Sequence, residues 1–185
     1  MAVQINEVNA ANLVGGAAQP TYGGGSITSD GIAVLYKFMN LYTDQAQQKY
    51  EQMSYKADRS RNSQQVANQV DAIIAQLSKP DEKGNIPMSV LEYLKQNKIM
   101  ITANEDIESY IKSHGDWTGL KLSKGDLEVV KGALESDSGR CSDFVSQAQL
   151  QIQKYLQSYN VCVSMINSMQ SMVAEASKRV AESIR

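Results

Sequence analysis

His114 is the only histidine in the chain, flanked by Gly115 and followed by Asp116. An imidazole with a carboxylate partner is the minimum for general acid–base chemistry, and a nearby hydroxyl would begin a nucleophilic triad. No such spacing is present: Asp116 is the nearest carboxylate in sequence, and one neighbour makes no catalytic pattern. Glu105 and Asp106 fall where a helix should begin, a position in which carboxylates complement the helix dipole. Gly23-Gly24-Gly25 lacks the following Lys-Ser or Lys-Thr pair of a phosphate-binding loop. Cys141 and Cys162 occupy apolar positions of a helical pattern. On one helix they would stand about 30 Å apart, beyond the reach of a disulfide. They read as small buried hydrophobes, with an interchain disulfide as the alternative. These residues supply no catalytic set, no metal-ligand cluster and no cofactor cradle, so the chain reads as a non-enzyme.

What the residue types do set out is a repeat. Ile152, Tyr155, Tyr159, Cys162, Ile166, Met169, Val173, Ala176 and Val180 are separated by alternating steps of three and four residues. That is the period of a left-handed coiled coil. Gln, Ser, Asn, Lys and Glu fill most positions between them. A helix over this stretch would be about 40 Å long and would present one narrow apolar seam. Such a seam needs a partner helix, which points to a protein that assembles. The same pattern also suits the core of a monomeric hairpin, and the two readings overlap.

A second helix must precede it. Ser29-Asp30 suits an N-cap, after which Ile32, Leu35, Met39, Tyr42, Ala46, Lys49, Met53 and Ala57 keep the heptad step. The seam resumes as Ala67, Val70, Ile74 and Leu77, with a change of phase around Arg59–Ser63 that reads as a stutter or bend. Lys79-Pro80 should stop this helix. The cluster Lys56, Asp58, Arg59 and Arg61 reads as a solvated face. The recurring Tyr36, Tyr42, Tyr50, Tyr55, Tyr155 and Tyr159 read as half-buried packing residues. Met39, Met53, Met165, Met169 and Met172 read as adaptable apolar surface or core filling.

Between the helices, Asp81–Asn85 reads as a turn and Pro87 as the first position of a short helix carrying Val90, Leu91 and Leu94. Ile99-Met100-Ile101 is a candidate edge or hairpin strand. Asn104 is placed to cap a helix carrying Ile107, Tyr110 and Ile111, with Gly115 ending it; Trp117, Leu120 and Leu122 add apolar bulk. Ser123 should open the last helix, with Asp126 as a capping-box variant. Leu127, Val130, Leu134, Asp137, Cys141, Phe144 and Ala148 continue at heptad spacing, and Gly132 and Gly139 mark a candidate break near Ser136–Gly139. The predicted fold is mainly α: two long helices form an antiparallel coiled-coil hairpin around a small mixed insertion. In one domain overall, residues 1–28 are a flexible leader, either an export leader or a disordered tail, 29–79 the first long helix, 80–122 the insertion and 123–185 the coiled-coil helix.

Composition narrows the partners. With 185 residues and a net charge of −2 the chain has no basic stripe for nucleic acid. No apolar run approaches the roughly 20 residues that span a bilayer, so no transmembrane segment is expected. Residues 1–28 hold one charged side chain, Glu7, and lack the basic and continuous apolar regions of a cleaved signal peptide.

Several blocks together resemble one family. Gln69-Val70-Asp71-Ala72-Ile73-Ile74-Ala75, Ile86-Pro87, Val90-Leu91-Glu92-Tyr93-Leu94 and Ile99-Met100-Ile101 are the first four. Gly125 to Leu134 (GDLEVVKGAL) and Ser146 to Lys154 (SQAQLQIQK) complete the set. Their order and spacing over residues 65–155 are similar to the EspA/SseB/EseB group, the filament and translocon proteins of bacterial type III secretion systems. The segment from Ile27 to Met53 most resembles the EseB-like branch. The resemblance implies a secreted, non-enzymatic subunit that polymerises through its coiled-coil helices into a hollow helical filament extending the secretion needle. It implies a cytoplasmic secretion chaperone before export, contact with needle and translocator proteins, and effector proteins as cargo in the lumen. The implied location is an extracellular bacterial appendage after a transient cytoplasmic stage. A cytoplasmic coiled-coil adaptor or chaperone is the alternative.

Overall fold

The computed structural model describes residues 27–79, 82–116 and 118–184. Of the leader expected over residues 1–28, residues 27 and 28 belong to the first helix, and residues 1–26, the stop at Pro80 and the contribution of Trp117 lie outside the described residues. In order, the elements are α1 (Ile27–Gln76), β1 (Lys83–Asn85), α2 (Met88–Gln96), α3 (Ile107–His114), β2 (Lys121–Ser123) and α4 (Lys124–Ser183). At about 1.5 Å per residue, α1 is about 75 Å long and α4 about 90 Å. The two pack antiparallel along α1, as the heptad pattern predicts.

α1 begins at Ile27, so Ser29 and Asp30 lie in its first turn rather than before it. Asp30 still complements the positive end of the helix dipole. At the other end the Leu77 N–H donates to the Ile74 carbonyl, and the Glu82 carboxylate accepts from the N–H groups of Ser78 and Lys79. Those bonds satisfy donors in a turn that would otherwise depend on water.

The insertion lies over the closed end of the hairpin. β1 and β2 pair antiparallel, with Gly84 opposite Leu122. Gly84 sits where this ribbon meets both long helices: a Cβ there would come within 2.8 Å of Ile73 Cγ2 and 2.9 Å of Leu127 Cδ1. Only glycine lets the backbone approach so closely. α2 follows Pro87, which is its N-cap rather than its first residue. α3 is capped by Asp106, whose carboxylate accepts from the Ser109 N–H at 2.8 Å, rather than by Asn104. Gly115 ends α3, its N–H donating to the Ile111 carbonyl.

Ile99-Met100-Ile101 is not a strand. Lys98 takes a positive φ of 51° and the Ile99 N–H returns to the Leu94 carbonyl, closing off α2. The Ile101 N–H bonds the Glu105 carbonyl, so this backbone is occupied in a turn and no strand lies beside it. Ile99 and Ile101 are buried and Met100 exposed because a loop presses two isoleucines into the core. The true strands, Lys-Gly-Asn and Lys-Leu-Ser, are too short and polar to show a period of two.

The main core gathers Val70, Ile74 and Leu77 of α1 and its end with Ile86, Leu94, Ile107, Ile111 and Leu122 of the insertion. Leu127, Val130 and Leu134 of α4 close it. α4 opens on Ser123, whose Oγ accepts from the Asp126 N–H and donates to the Asp126 carboxylate at 2.6 Å. The helix runs unbroken through Ser136–Gly139. Gly132 and Gly139 have open space where a side chain would project. They lower helix propensity without disturbing packing, while buried Leu134, Ser138 and Cys141 hold the helix in place.

Candidate functional site

The α4 seam divides into two stretches. Ile152, Tyr155, Tyr159 and Met169 are half-buried and Cys162 and Ile166 buried. Facing them on α1, Leu35, Met39, Tyr42, Ala46 and Met53 are half-buried and Ile32 is buried. Near the end of this pairing Gly31 faces Met169, where a Cβ would lie 2.7 Å from Met169 Cε. Beyond Met169 every residue from Gln170 to Ile184 is exposed. Val173, Ala176 and Val180 therefore carry the seam past the Gly31–Met169 contact, first alongside the opening turn of α1 (Ile27–Asp30) and then onto an overhang about 15 Å long.

The heptad pattern suits both an intrachain hairpin core and a surface for assembly, and burial differs along the two seams. Val70, Ile74 and Leu77 are buried in the core beneath the insertion, and Ile166 is 5% exposed against α1. Antiparallel pairing covers these positions within one chain. Only Val173, Ala176 and Val180 of the predicted seam residues remain exposed.

A polar layer crosses the hairpin where the α1 seam changes phase. Arg59 donates through Nε and Nη2 to the two carboxylate oxygens of Asp137, at 2.9 and 2.7 Å, and through Nη2 to the Asn97 carbonyl. Ser63 Oγ donates to Asp137 Oδ2 at 2.8 Å and meets the Tyr93 hydroxyl, which itself donates to the Arg59 carbonyl. Ser60 and Ser138 exchange hydrogen bonds beside it. Asp137 is 5% exposed and Ser63 fully buried. Arg59, expected on a solvated face, is thus the partner of a buried carboxylate. Two sequence signs could have found the pair: the phase change at Arg59–Ser63 and an aspartate at an apolar heptad position.

Burial alone pushes the Asp137 carboxyl up, but hydrogen bonds from Arg59 and Ser63 and the Arg59 charge outweigh it and hold the carboxyl below the usual carboxylate range. Its hydrogen bond to Asp137, reinforced by the opposite charge, holds the Arg59 guanidinium further above its ordinary value. Because the folded carboxyl titrates below its unfolded value of about 3.9, its contribution to stability is complete above that pH and is lost as pH falls through the folded value. The stability gap between the native protein and Asp137→Asn should therefore narrow below about pH 4, measured by urea unfolding across a pH series. A gap that stays constant down to pH 2 would contradict the pairing.

His114 stacks on Tyr110 with centroids 4.3 Å apart, and its Nδ1 lies 2.7 Å from Ser113 Oγ. That hydroxyl also reaches Glu105 Oε1 at 3.1 Å and the carbonyls of Ser109 and Tyr110. Ser, His and Glu are close here, but the hydroxyl is engaged by helix carbonyls on the exposed surface of α3. This is a helix-end hydrogen-bond cluster with no activated nucleophile. Among the described residues no group of His, Cys, Asp and Glu is arranged to hold a metal ion. No described helix is long and apolar enough to cross a membrane. Cys141 and Cys162 are both buried and free.

The family model for EspA-like secreted proteins matches residues 4–179. This chain belongs to that family. It is 32% identical over 156 residues to the secreted effector protein SseB of Salmonella typhimurium (strain LT2), covering 83% of this chain and 78% of SseB. The EspA-like fold is also similar to the solved cryo-EM structure of the enteropathogenic Escherichia coli type III secretion system EspA filament. That likeness has a TM-score of 0.53 and 25% identity over 83% of this chain and 84% of the other.

Proposed function

We propose that this protein is a secreted structural subunit of a type III secretion filament. Copies assemble into a hollow helical polymer that extends the needle and conducts translocator and effector proteins toward the host cell. The observation that carries this reading is the α4 overhang: an apolar heptad stripe continuing past the end of the intrachain hairpin. Val173, Val180 and Ile184 are exposed along this stripe by 41%, 58% and 81%. Exposed apolar helix faces of this kind mark partner surfaces. In an EspA-like chain with the fold of a filament subunit, the partner is another copy.

The remaining roles follow from that surface. Before export the overhang would draw copies together prematurely, so a cytoplasmic chaperone supplies a substitute helix. Needle and translocator proteins meet the two ends of the polymer. Residues 1–28 act as the uncleaved export signal. Deleting them and fractionating culture supernatant from cells tests the secreted role directly. The expected result is loss of the protein from the supernatant, with the helical circular dichroism of the purified variant unchanged. Unchanged partitioning between cells and supernatant would favour a cytoplasmic coiled-coil adaptor.

A further inference from the structure

The hairpin carries a second apolar stripe that packing among the described residues leaves open. On α1, Val34, Phe38 and Leu41 are exposed by 47%, 44% and 46%. Each immediately precedes a seam residue, Leu35, Met39 or Tyr42, and so lies about 100° round the helix from it. On α4, Val161, Met165 and Met172 are exposed by 57%, 49% and 58% and immediately precede Cys162, Ile166 and Val173. The two helices have the same hand and run in opposite directions. A step of one residue back from each facing seam therefore brings both stripes to the same side of the hairpin. The contact between Gly31 and Met169 sets the register, placing Val34 near Met165 and Phe38 near Val161. Phe38 also stacks on Tyr42, with centroids 6.4 Å apart, which ties the outer stripe to the seam.

We propose that this face, Val34, Phe38 and Leu41 with Val161 and Met165, receives the α4 overhang of a second copy, whose Val173, Ala176 and Val180 lie in it. The inference rests on the assembly reading above and deepens it by naming both halves of the contact. Three observations commit the occupant to a second copy. Among the described residues the overhang is itself an unpartnered apolar helix stripe about 15 Å long, and the face spans about 10 Å on α1 and about 6 Å from Val161 to Met165 on α4. An amphipathic helix lying across a two-helix groove is a recurrent mode of recognition. The similar solved structure is a filament of repeated subunits. The two surfaces are also different patches of one chain. A contact between unlike patches is heterologous, and it generates an open filament unless its rotation happens to close a ring. Self-pairing of the overhangs would instead give closed dimers.

The test mixes two variants that each lose one half. Phe38→Asp blocks the face and Val180→Asp blocks the overhang; both sites are exposed, so the hairpin should fold, as checked by circular dichroism and thermal melting. Sedimentation over rising concentration should give monomers of 20.3 kDa for each variant alone. An equimolar mixture should give 1:1 heterodimers of twice that mass, because one intact face then meets one intact overhang. Phe38→Asp chains that pair with themselves or polymerise like the native protein would overturn the proposal, as would a mixture that stays monomeric. Heterodimers form without fibres, so this readout stands apart from whether the native protein builds a filament. Native fibres with a failed mixture would reject the pairing alone, whereas heterodimers without native fibres would reject the filament alone.

Discussion

Replacing Asp137 by alanine is expected to cost about 3–5 kcal/mol of folding stability, read as a lower urea midpoint. The change leaves the Arg59 guanidinium in a mostly desolvated layer without its bidentate partner, and its remaining bond to the Asn97 carbonyl cannot replace an opposite charge. Ser63 also loses the carboxylate that its hydroxyl serves, although Tyr93 remains beside it. The loss measures an uncompensated buried charge rather than the worth of the pair, since apolar replacements of both partners often fold as well as the pair. Arg59→Met with Asp137→Leu should therefore recover most of the deficit. A double variant as unstable as Asp137→Ala would mean that the layer supplies required geometry and not merely matched charge.

Ile166→Asp and Val173→Asp should separate folding from assembly, although both change a residue of one heptad stripe. Ile166 is 5% exposed against α1, so a carboxylate there would be buried. An unpaired charge at such a site costs several kcal/mol and should loosen the open end of the hairpin. Thermal melting should register a clear loss before any effect on assembly is considered. Val173 is 41% exposed. Its replacement should change the fold by no more than about 0.5 kcal/mol, as for other surface positions. It should nevertheless remove sedimentable polymer, because the charge would be buried only when copies meet. Equal loss of melting temperature in both variants would contradict the division of the seam at Met169.

Much of the fold was legible because its strongest signal is periodic. Long runs at alternating three- and four-residue steps, broken by Lys79-Pro80 and reopened by Ser123-Asp126, require two long helices and a shorter piece between them. The strand was misplaced because burial alternates at Ile99 and Ile101 for a reason unconnected with pairing, while Gly84 and Leu122 pair without a pattern. Helix caps also moved: Asp106 rather than Asn104 holds the start of α3, a choice set by which side chain reaches the Ser109 N–H.

The candidate site was legible in type but not in extent. Heptad spacing cannot distinguish an apolar position facing α1 from one facing another copy, because both require the same residues. The start of α1 decides it: the pairing ends one turn beyond the contact between Gly31 and Met169. The buried pair of Arg59 and Asp137 was legible only in combination. The phase change on one helix and the aspartate on the other become meaningful once the antiparallel register brings them together. The outer stripe of Val34, Phe38 and Leu41 follows an equally regular step. It stays hidden in sequence beside the stronger run one residue further on.

Negative-stain electron microscopy of the purified full chain over a rising concentration series tests assembly most directly. A filament subunit should yield long fibres of uniform width with a dark central line, at lengths that grow with concentration. Small discrete particles at every concentration would contradict a polymerising subunit and return the chain to the role of a coiled-coil adaptor.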